Sequence, residues 1–263
     1  YHGLVTILQT VSLYDEISAG AAETLTLHCD RRWMNGRRNL MWKAAELLQR
    51  ESGTQMGAAM NLVKTIPISA GLGGGSSDAA AALRCLNDLW ELNINNTRLT
   101  ELASHLGSDV PFFLRGGTQM ATGRGEFLEP LCTPKDQWLV LVSPDIRVPR
   151  KTRLLYELPG PRDFSDGSMT IGLAETLRVG GALSMDCIVN AFERAADDTF
   201  PGLDQYRKAM FEAGAEQVHL SGSGPSLFTL MESQCEGDAF QKRLGDLGFC
   251  GLVVQTVAAE ELN

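Results

Sequence analysis

Four glycines within five residues, Gly71, Gly73, Gly74 and Gly75, constrain this chain more than any other feature. They belong to the run PISAGLGGGSSDAA, Pro67 to Ala80, which continues into an alanine-rich stretch. Glycine lets the backbone take positive φ and approach a ligand closely, because no Cβ is in the way. Serines such as Ser76 and Ser77 ahead of helix formers are good N-caps. The segment therefore reads as a loop of exposed N–H groups ending on a helix N-terminus, an anion site whose natural ligand is a phosphate. A flexible Gly/Ser linker is the alternative, but an apolar strand pattern precedes this run and a periodic helix pattern follows it. The run lacks the Lys-Ser/Thr pair that would make it a Walker A loop. It is not a dinucleotide fingerprint either, because no acidic residue closes a following second strand.

Charge decides what else the loop needs. The chain of 263 residues has a net charge of −9 and a pI near 5.0. A helix N-terminus contributes only about 0.3–1 kcal/mol toward an exposed anion. That is too little to hold a triphosphate on so acidic a protein. Several loop amides, Ser76, Ser77, a nearby cation such as Lys64, and Mg²⁺ are expected to act together. The same acidity argues against nucleic acid, whose binding relies on Lys and Arg. The six cysteines lie far apart with no metal-ligand spacing, so free thiols in a reducing cytoplasm are expected. No run of eighteen apolar residues and no signal-peptide pattern occur, which points away from a membrane. Tyr1 is followed almost at once by a strand pattern, so the sequence is expected to begin inside a domain.

Periodicity places strands over Leu4–Ile17, Thr24–Cys29 and Gly57–Ile66, and helices over Leu40–Leu48, Ser77–Leu92 and Thr100–Leu106. Trp138–Val142 is nearly continuously apolar and reads as a strand buried on both faces. The polar stretch Cys132–Gln137 before it suggests a boundary between a domain of residues 1–134 and one of residues 135–263. Gly160–Gly167 reads as a surface loop. Helices are expected over Leu183–Ala196, Leu203–Ala213 and Phe240–Leu247. Strands are expected over Gln217–Leu220, Ser226–Met231 and Leu252–Val257, giving an α+β second half.

At this point the residues meet a family. Pro67–Ala80 resembles the second motif of the GHMP kinases, and its triple glycine before Ser-Ser-Asp resembles the branch that acts on a diphosphocytidyl methylerythritol. The opening YHGLVTILQTVSLYDEI resembles that branch's Gly-Tyr-His segment and following strand. GSDVPFFLRGG, Gly107–Gly117, resembles its catalytic-aspartate loop, and SGSGPSLF, Ser221–Phe228, resembles the third motif. The resemblance spans essentially the whole chain. It implies an α+β, two-domain fold: a ribosomal-S5-like N-terminal domain and a ferredoxin-like C-terminal domain, with the site between them. It implies an ATP-dependent kinase that phosphorylates the 2-hydroxyl of 4-diphosphocytidyl-2-C-methyl-D-erythritol in non-mevalonate isoprenoid precursor synthesis. The rivals at this stage are another GHMP small-molecule kinase and a non-catalytic ATP-binding relative.

By resemblance, Asp109 is the catalytic residue and touches the substrate hydroxyl. Asn39 and Leu40 form the adenine pocket. Lys64, Pro67, Gly71, Leu72, Gly73, Gly74, Gly75, Ser76 and Ser77 hold the ATP phosphates with Mg²⁺, and no direct protein ligand to the metal is assigned. Tyr1, His2 and Tyr156 bind the cytosine, and Gly222 and Gly224, counted with the substrate-binding residues, let the third motif approach the glycine loop from the opposite domain. The family carries a lysine about fifteen residues ahead of the Tyr-His pair, upstream of Tyr1, so the chain from Tyr1 onward is expected to be catalytically poor. Val189–Glu193 reads VNAFE where the family usually shows Asn-Asp-Leu-Glu, a departure with no mechanism attached. The expected partner is a small molecule carrying a cytidine diphosphate group, without nucleic acid or membrane. A homodimer stays open. The expected compartment is the bacterial cytoplasm, with a plastid address left open.

Overall fold

The strand pattern that starts at Leu4 breaks at Thr10, giving β1 (Leu4–Gln9) and β2 (Glu16–Ala22) instead of one long strand. Thr10 is tied to the far end of the chain: its hydroxyl donates to Val257 O at 2.9 Å, and Val257 N–H donates to its carbonyl at 2.9 Å. The computed structural model in which this is seen describes residues 3–149, 151, 154–155 and 165–262. The expected cytosine-site residues Tyr1, His2 and Tyr156 lie outside the described residues.

The first half holds two sheets. β2 and β3 (Thr26–Cys29) flank β4 (Gly57–Val63), and β3 runs parallel to β4. A parallel pair needs a crossover, which α1 (Leu40–Ser52) supplies. Gly53 ends that helix at φ 74°. The second sheet is β1–β5–β6, with β5 (Thr118–Gly123) and β6 (Phe127–Leu131) forming an antiparallel hairpin. The sequence pattern does not reveal these two strands, because Thr118 and Gln119 are polar yet buried. α2 (Gly74–Leu89), α3 (Asn96–Leu106) and α4 (Val110–Arg115) complete this half. α1 and α2 pack through Ala44, Ala45, Ala79 and Ala82, whose small side chains allow close approach. Met41, Leu48, Met60, Leu62, Leu83 and Leu86 fill the remaining core.

The second half is built on one antiparallel sheet of order β10–β7–β9–β8. Its strands are β7 (Trp138–Val142), β8 (His219–Leu220), β9 (Leu227–Met231) and β10 (Leu252–Gln255). The last, first, third and second strands lie side by side, which is the ferredoxin-like order. β7 is buried on both faces. Val140 and Val142 meet Phe200, Leu203, Met210 and Phe240 from α6 (Glu193–Thr199), α7 (Leu203–Glu212), α8 (Gln234–Asp246) and the turns between them. Leu139 and Leu141 pack with Val254, Val11, Leu13 and Leu72. Leu72 belongs to the glycine run, so the two halves share this cluster.

Two helical expectations change. A helix forms at α5 (Ser168–Arg178), which the sequence reading did not include; Leu173, Ala174 and Leu177 are its buried residues. The helix expected over Leu183–Ala196 does not form. Met185–Cys187 makes a single 3₁₀ turn, and α6 starts only at Glu193. Asn190 interrupts the pattern because its side-chain oxygen accepts from Phe192 N–H at 2.9 Å, an Asx turn.

Behind the glycine run lies a buried charge cluster. Lys64 Nζ donates to Asp15 and to Asp78, the latter at 2.8 Å, and all three side chains are only 2–3% exposed. Asp15 also accepts from the Thr65 and Ile66 amides at 2.6 and 2.9 Å. Asp30 accepts from Lys64 N–H at 3.0 Å. These bonds fix the strand end that feeds the loop. A Cβ at Gly74 would lie 2.9 Å from the Ile66 side chain and 3.2 Å from Lys64 Nζ, so α2 starts on a residue that must be small.

Two carboxylates share one ammonium here. Burial pushes the Asp78 carboxyl up to about 7, and the Asp15 carboxylate adds to the rise while Lys64 opposes it. The folded protein thus holds a proton that the unfolded chain, with Asp near 3.8, has already released. This group's contribution is fully present below about pH 4 and is lost as pH rises toward 7. Asp78→Asn is therefore expected to lose less stability than wild type between pH 5 and 7.5, by about 1–2 kcal/mol. Urea melts across that range check it, and parallel profiles for the two proteins would contradict it.

Candidate active site

The glycine loop alternates backbone hands, with Gly71 at φ 85° and Gly73 at φ 68°. Ser76 and Ser77 N–H both turn back to Gly73 O, at 2.8 and 2.9 Å. Helix expectations began at Ser77, but α2 already starts at Gly74. Its first amides, Gly74 and Gly75, have no helical acceptor. The amides of Leu72 and Gly73 also donate to nothing among the described residues. Four consecutive N–H groups are thus unmatched at one helix start, which is an anion-binding arrangement.

The third-motif loop meets this one backbone to backbone. Ser226 N–H donates to Ala70 O at 3.0 Å, and Ser221 Oγ donates to Gly71 O at 3.1 Å. A Cβ on Gly71 would stand 2.4 Å from Ser221 O and 2.8 Å from Gly224 N. Gly222 and Gly224 take φ 51° and 60°. The structure therefore brings Gly71, Gly222 and Gly224 together as the sequence reading expects.

A pocket of about 260 Å³ opens beside the loop, lined by Met34, Leu40, Lys64 and the residues from Pro67 to Ser76. Leu40, Pro67, Gly71, Leu72, Gly73, Gly74, Gly75 and Ser76 thus share one wall. Asn39 is placed differently. Its Oδ1 caps α1 at Met41 N–H, 2.9 Å, and its Nδ2 donates to Met34 O, 3.1 Å. It shapes the pocket by holding Met34 there. Ser77 Oγ is likewise committed, donating to Gly74 O at 2.8 Å. Ser76 Oγ has no partner among the described residues. Lys64 sits in the pocket wall with its charge matched by Asp15 and Asp78, so it is not the uncommitted cation the sequence reading sought. Asp15, Asp78 and Met34 were not found by that reading. Only the spacing of Asp78 after the glycines could have signalled one of them.

Asp109 precedes α4, and its carboxylate makes no capping bond to that helix, so the common reading of an Asp before a Pro as an N-cap does not apply. It reaches solvent, yet protein crowds it on the remaining sides, and this burial raises its carboxyl above the usual range. The helix it begins leans on the glycine loop: a Cβ on Gly73 would meet the Phe113 ring at 2.6 Å. α4 also packs against α2, and Arg84 on α2 donates to Leu114 O. A cation absent from the sequence reading is held to the third-motif loop. Lys151 Nζ donates to Gly224 O, and burial lowers it to about 8. No carboxylate pairs with it among the described residues.

Unmatched amides, a pocket at a helix start, a carboxylate raised by burial and a lysine bonded to the facing loop suit transfer of a phosphoryl group. Known proteins agree. The GHMP kinases N terminal domain family matches residues 39–117, and the GHMP kinases C terminal family matches residues 173–248. A 4-diphosphocytidyl-2-C-methyl-D-erythritol kinase of Dehalococcoides mccartyi is 39% identical over 258 residues, covering 98% of this chain and 90% of that protein. The enzyme of that name from Exiguobacterium sibiricum is 37% identical over 266 residues, covering 96% and 88%. A crystal structure of 4-(cytidine 5'-diphospho)-2C-methyl-D-erythritol kinase superposes with a TM-score of 0.81 at 34% identity, covering 97% and 91%. The chain belongs to the GHMP kinase family, in the branch of the 4-diphosphocytidyl-2-C-methyl-D-erythritol kinases.

Proposed function

We propose that this protein transfers the γ-phosphoryl group of ATP to the 2-hydroxyl of 4-diphosphocytidyl-2-C-methyl-D-erythritol, a step in the non-mevalonate isoprenoid precursor pathway. The observation that carries the reading is the set of unmatched amides from Leu72 to Gly75, beside a pocket and next to the helix that Asp109 begins. Similarity at 39% and 37% identity over nearly the full length to kinases of that name supports the substrate. The loop amides hold the phosphates, Leu40 and Met34 line the base side of the pocket, and Lys151, bonded to Gly224 O of the third loop, adds positive charge. Residues 1–134 form the nucleotide and catalytic domain, and residues 135–263 form the substrate domain.

In the transfer, the substrate oxygen forms a bond to the γ-phosphorus as the bond from that phosphorus to the β–γ bridging oxygen breaks. The hydroxyl proton passes to Asp109, whose raised carboxyl makes it a better acceptor than a free aspartate. The transition state is largely dissociative, so positioning by the loop matters at least as much as this proton transfer. Mg²⁺ fits as a cation carried mainly on the phosphates. Such ions keep several waters and take one or two protein oxygens, and the uncommitted Ser76 hydroxyl in the pocket wall is one such donor. When bound, it would neutralise charge on the phosphate oxygens. No helix of the described residues is long and apolar enough to cross a membrane, and a cytoplasmic enzyme is the compartment proposed. A homodimer is compatible with this reading and plays no part in it.

Asp109→Asn is expected to lower turnover roughly 100-fold or more while leaving ATP affinity within about threefold. Near-wild-type turnover in a steady-state assay would refute the proton-acceptor role. CDP is expected to compete with the cytidine substrate and not with ATP. Failure of CDP to inhibit would point to another small-molecule kinase of the same fold.

A further inference from the structure

The VNAFE stretch, residues 189–193, lies at the root of the third-motif loop. Asn190 Nδ2 donates to Leu220 O and to Gly222 O, each at 2.9 Å, while its Oδ1 caps Phe192 N–H. Glu193 Oε1 accepts from Leu220 N–H, and its other oxygen pairs with Arg207 at 2.8 Å. Arg207 in turn donates to Val218 O at 3.0 Å. The short β8 backbone is therefore gripped by side chains at Val218 and Leu220 on the edge that β9 does not pair, where two residues of strand pairing alone would hold it weakly. The loop beyond β8 then carries Ser221 to Gly71 O and Ser226 to Ala70 O.

We propose that Asn190 and Glu193 are positioning residues for the nucleoside triphosphate's phosphates: they fix the third-motif loop, which fixes the glycine loop at Gly71 from the opposite domain. An amide suits position 190 because it offers two donors and an acceptor at once. A carboxylate there would set a charged oxygen against two carbonyls.

The proposal rests on the reading that the glycine loop holds ATP's phosphates, so its test separates the two. Asn190→Ala removes all three bonds; Asn190→Ser leaves an uncharged oxygen to cap Phe192 N–H and guards against a variant that fails to fold. Amide hydrogen exchange in the nucleotide-free protein should speed up roughly tenfold in both at Ser226, whose N–H donates to Ala70 O, and at Ser76 and Ser77, whose N–H groups close the glycine loop on Gly73 O, and ATP affinity should fall roughly tenfold. CDP affinity should change less than about twofold, and combining Asn190→Ala with Ser221→Ala should cost less ATP affinity than the sum of the two. Unchanged exchange at the glycine loop overturns the positioning role, whatever that loop binds. Faster exchange with unchanged ATP affinity overturns the link to the phosphates and places the fault in the reading of the loop. Equal losses of ATP and CDP affinity in both variants mark general loosening of the domain and also overturn it.

Discussion

The contact of Gly71 with Ser221 and Gly224 is the constraint on which the site depends. Two loops from opposite halves of the chain meet there with no side chain between them. Any L side chain at Gly71 would be strained twice, by its φ of 85° and by a carbonyl oxygen 2.4 Å from its Cβ. Hydrogen bonds to the carbonyls of Ala70 and Gly71 fix the approach, and Leu72 anchors the same loop in the apolar face of the second half's sheet. Between the anchor at Leu72 and the turn at Gly73, the backbone has little freedom to direct its amides elsewhere. The acidic protein thus presents donors to an anion without placing a basic residue in the loop itself.

The charges behind the loop serve a different purpose from those in front. Asp15, Lys64 and Asp78 are buried and matched to one another, and a pair of that kind is weak evidence for stability. Their geometry fixes where β4 ends and where α2 begins. Lys151 and Asp109, by contrast, lack ionic partners among the described residues, and Lys151 is held to Gly224 O on the third-motif loop.

Much of this was legible in the sequence because the relevant signals are local. The glycine run, the apolar β7 and the periodic faces of α1 and α2 announce themselves within a few residues. Asp109 was legible only through its family resemblance, since an Asp before a Pro has a common local explanation. Other features depend on partners far along the chain. Lys64 looked like a free cation because Asp15 lies 49 residues away in sequence. β5 stayed hidden because its buried Thr118 and Gln119 find partners elsewhere, Gln119 donating to Phe112 O and Gly116 O. The helix expected over Leu183–Ala196 failed at Asn190, whose side chain competes for the backbone. Lys151 carries no sequence signal at all; its place comes from Gly224 folding back toward it.

The central claim is that the amides of Leu72 to Gly75 hold the triphosphate. A crystal structure with a non-hydrolysable ATP analogue tests it most directly. The account predicts phosphate oxygens within about 3.2 Å of those amides, with Gly71 still seated against Ser221 and Gly224. Phosphates bound elsewhere, with the four amides facing only solvent, would contradict it.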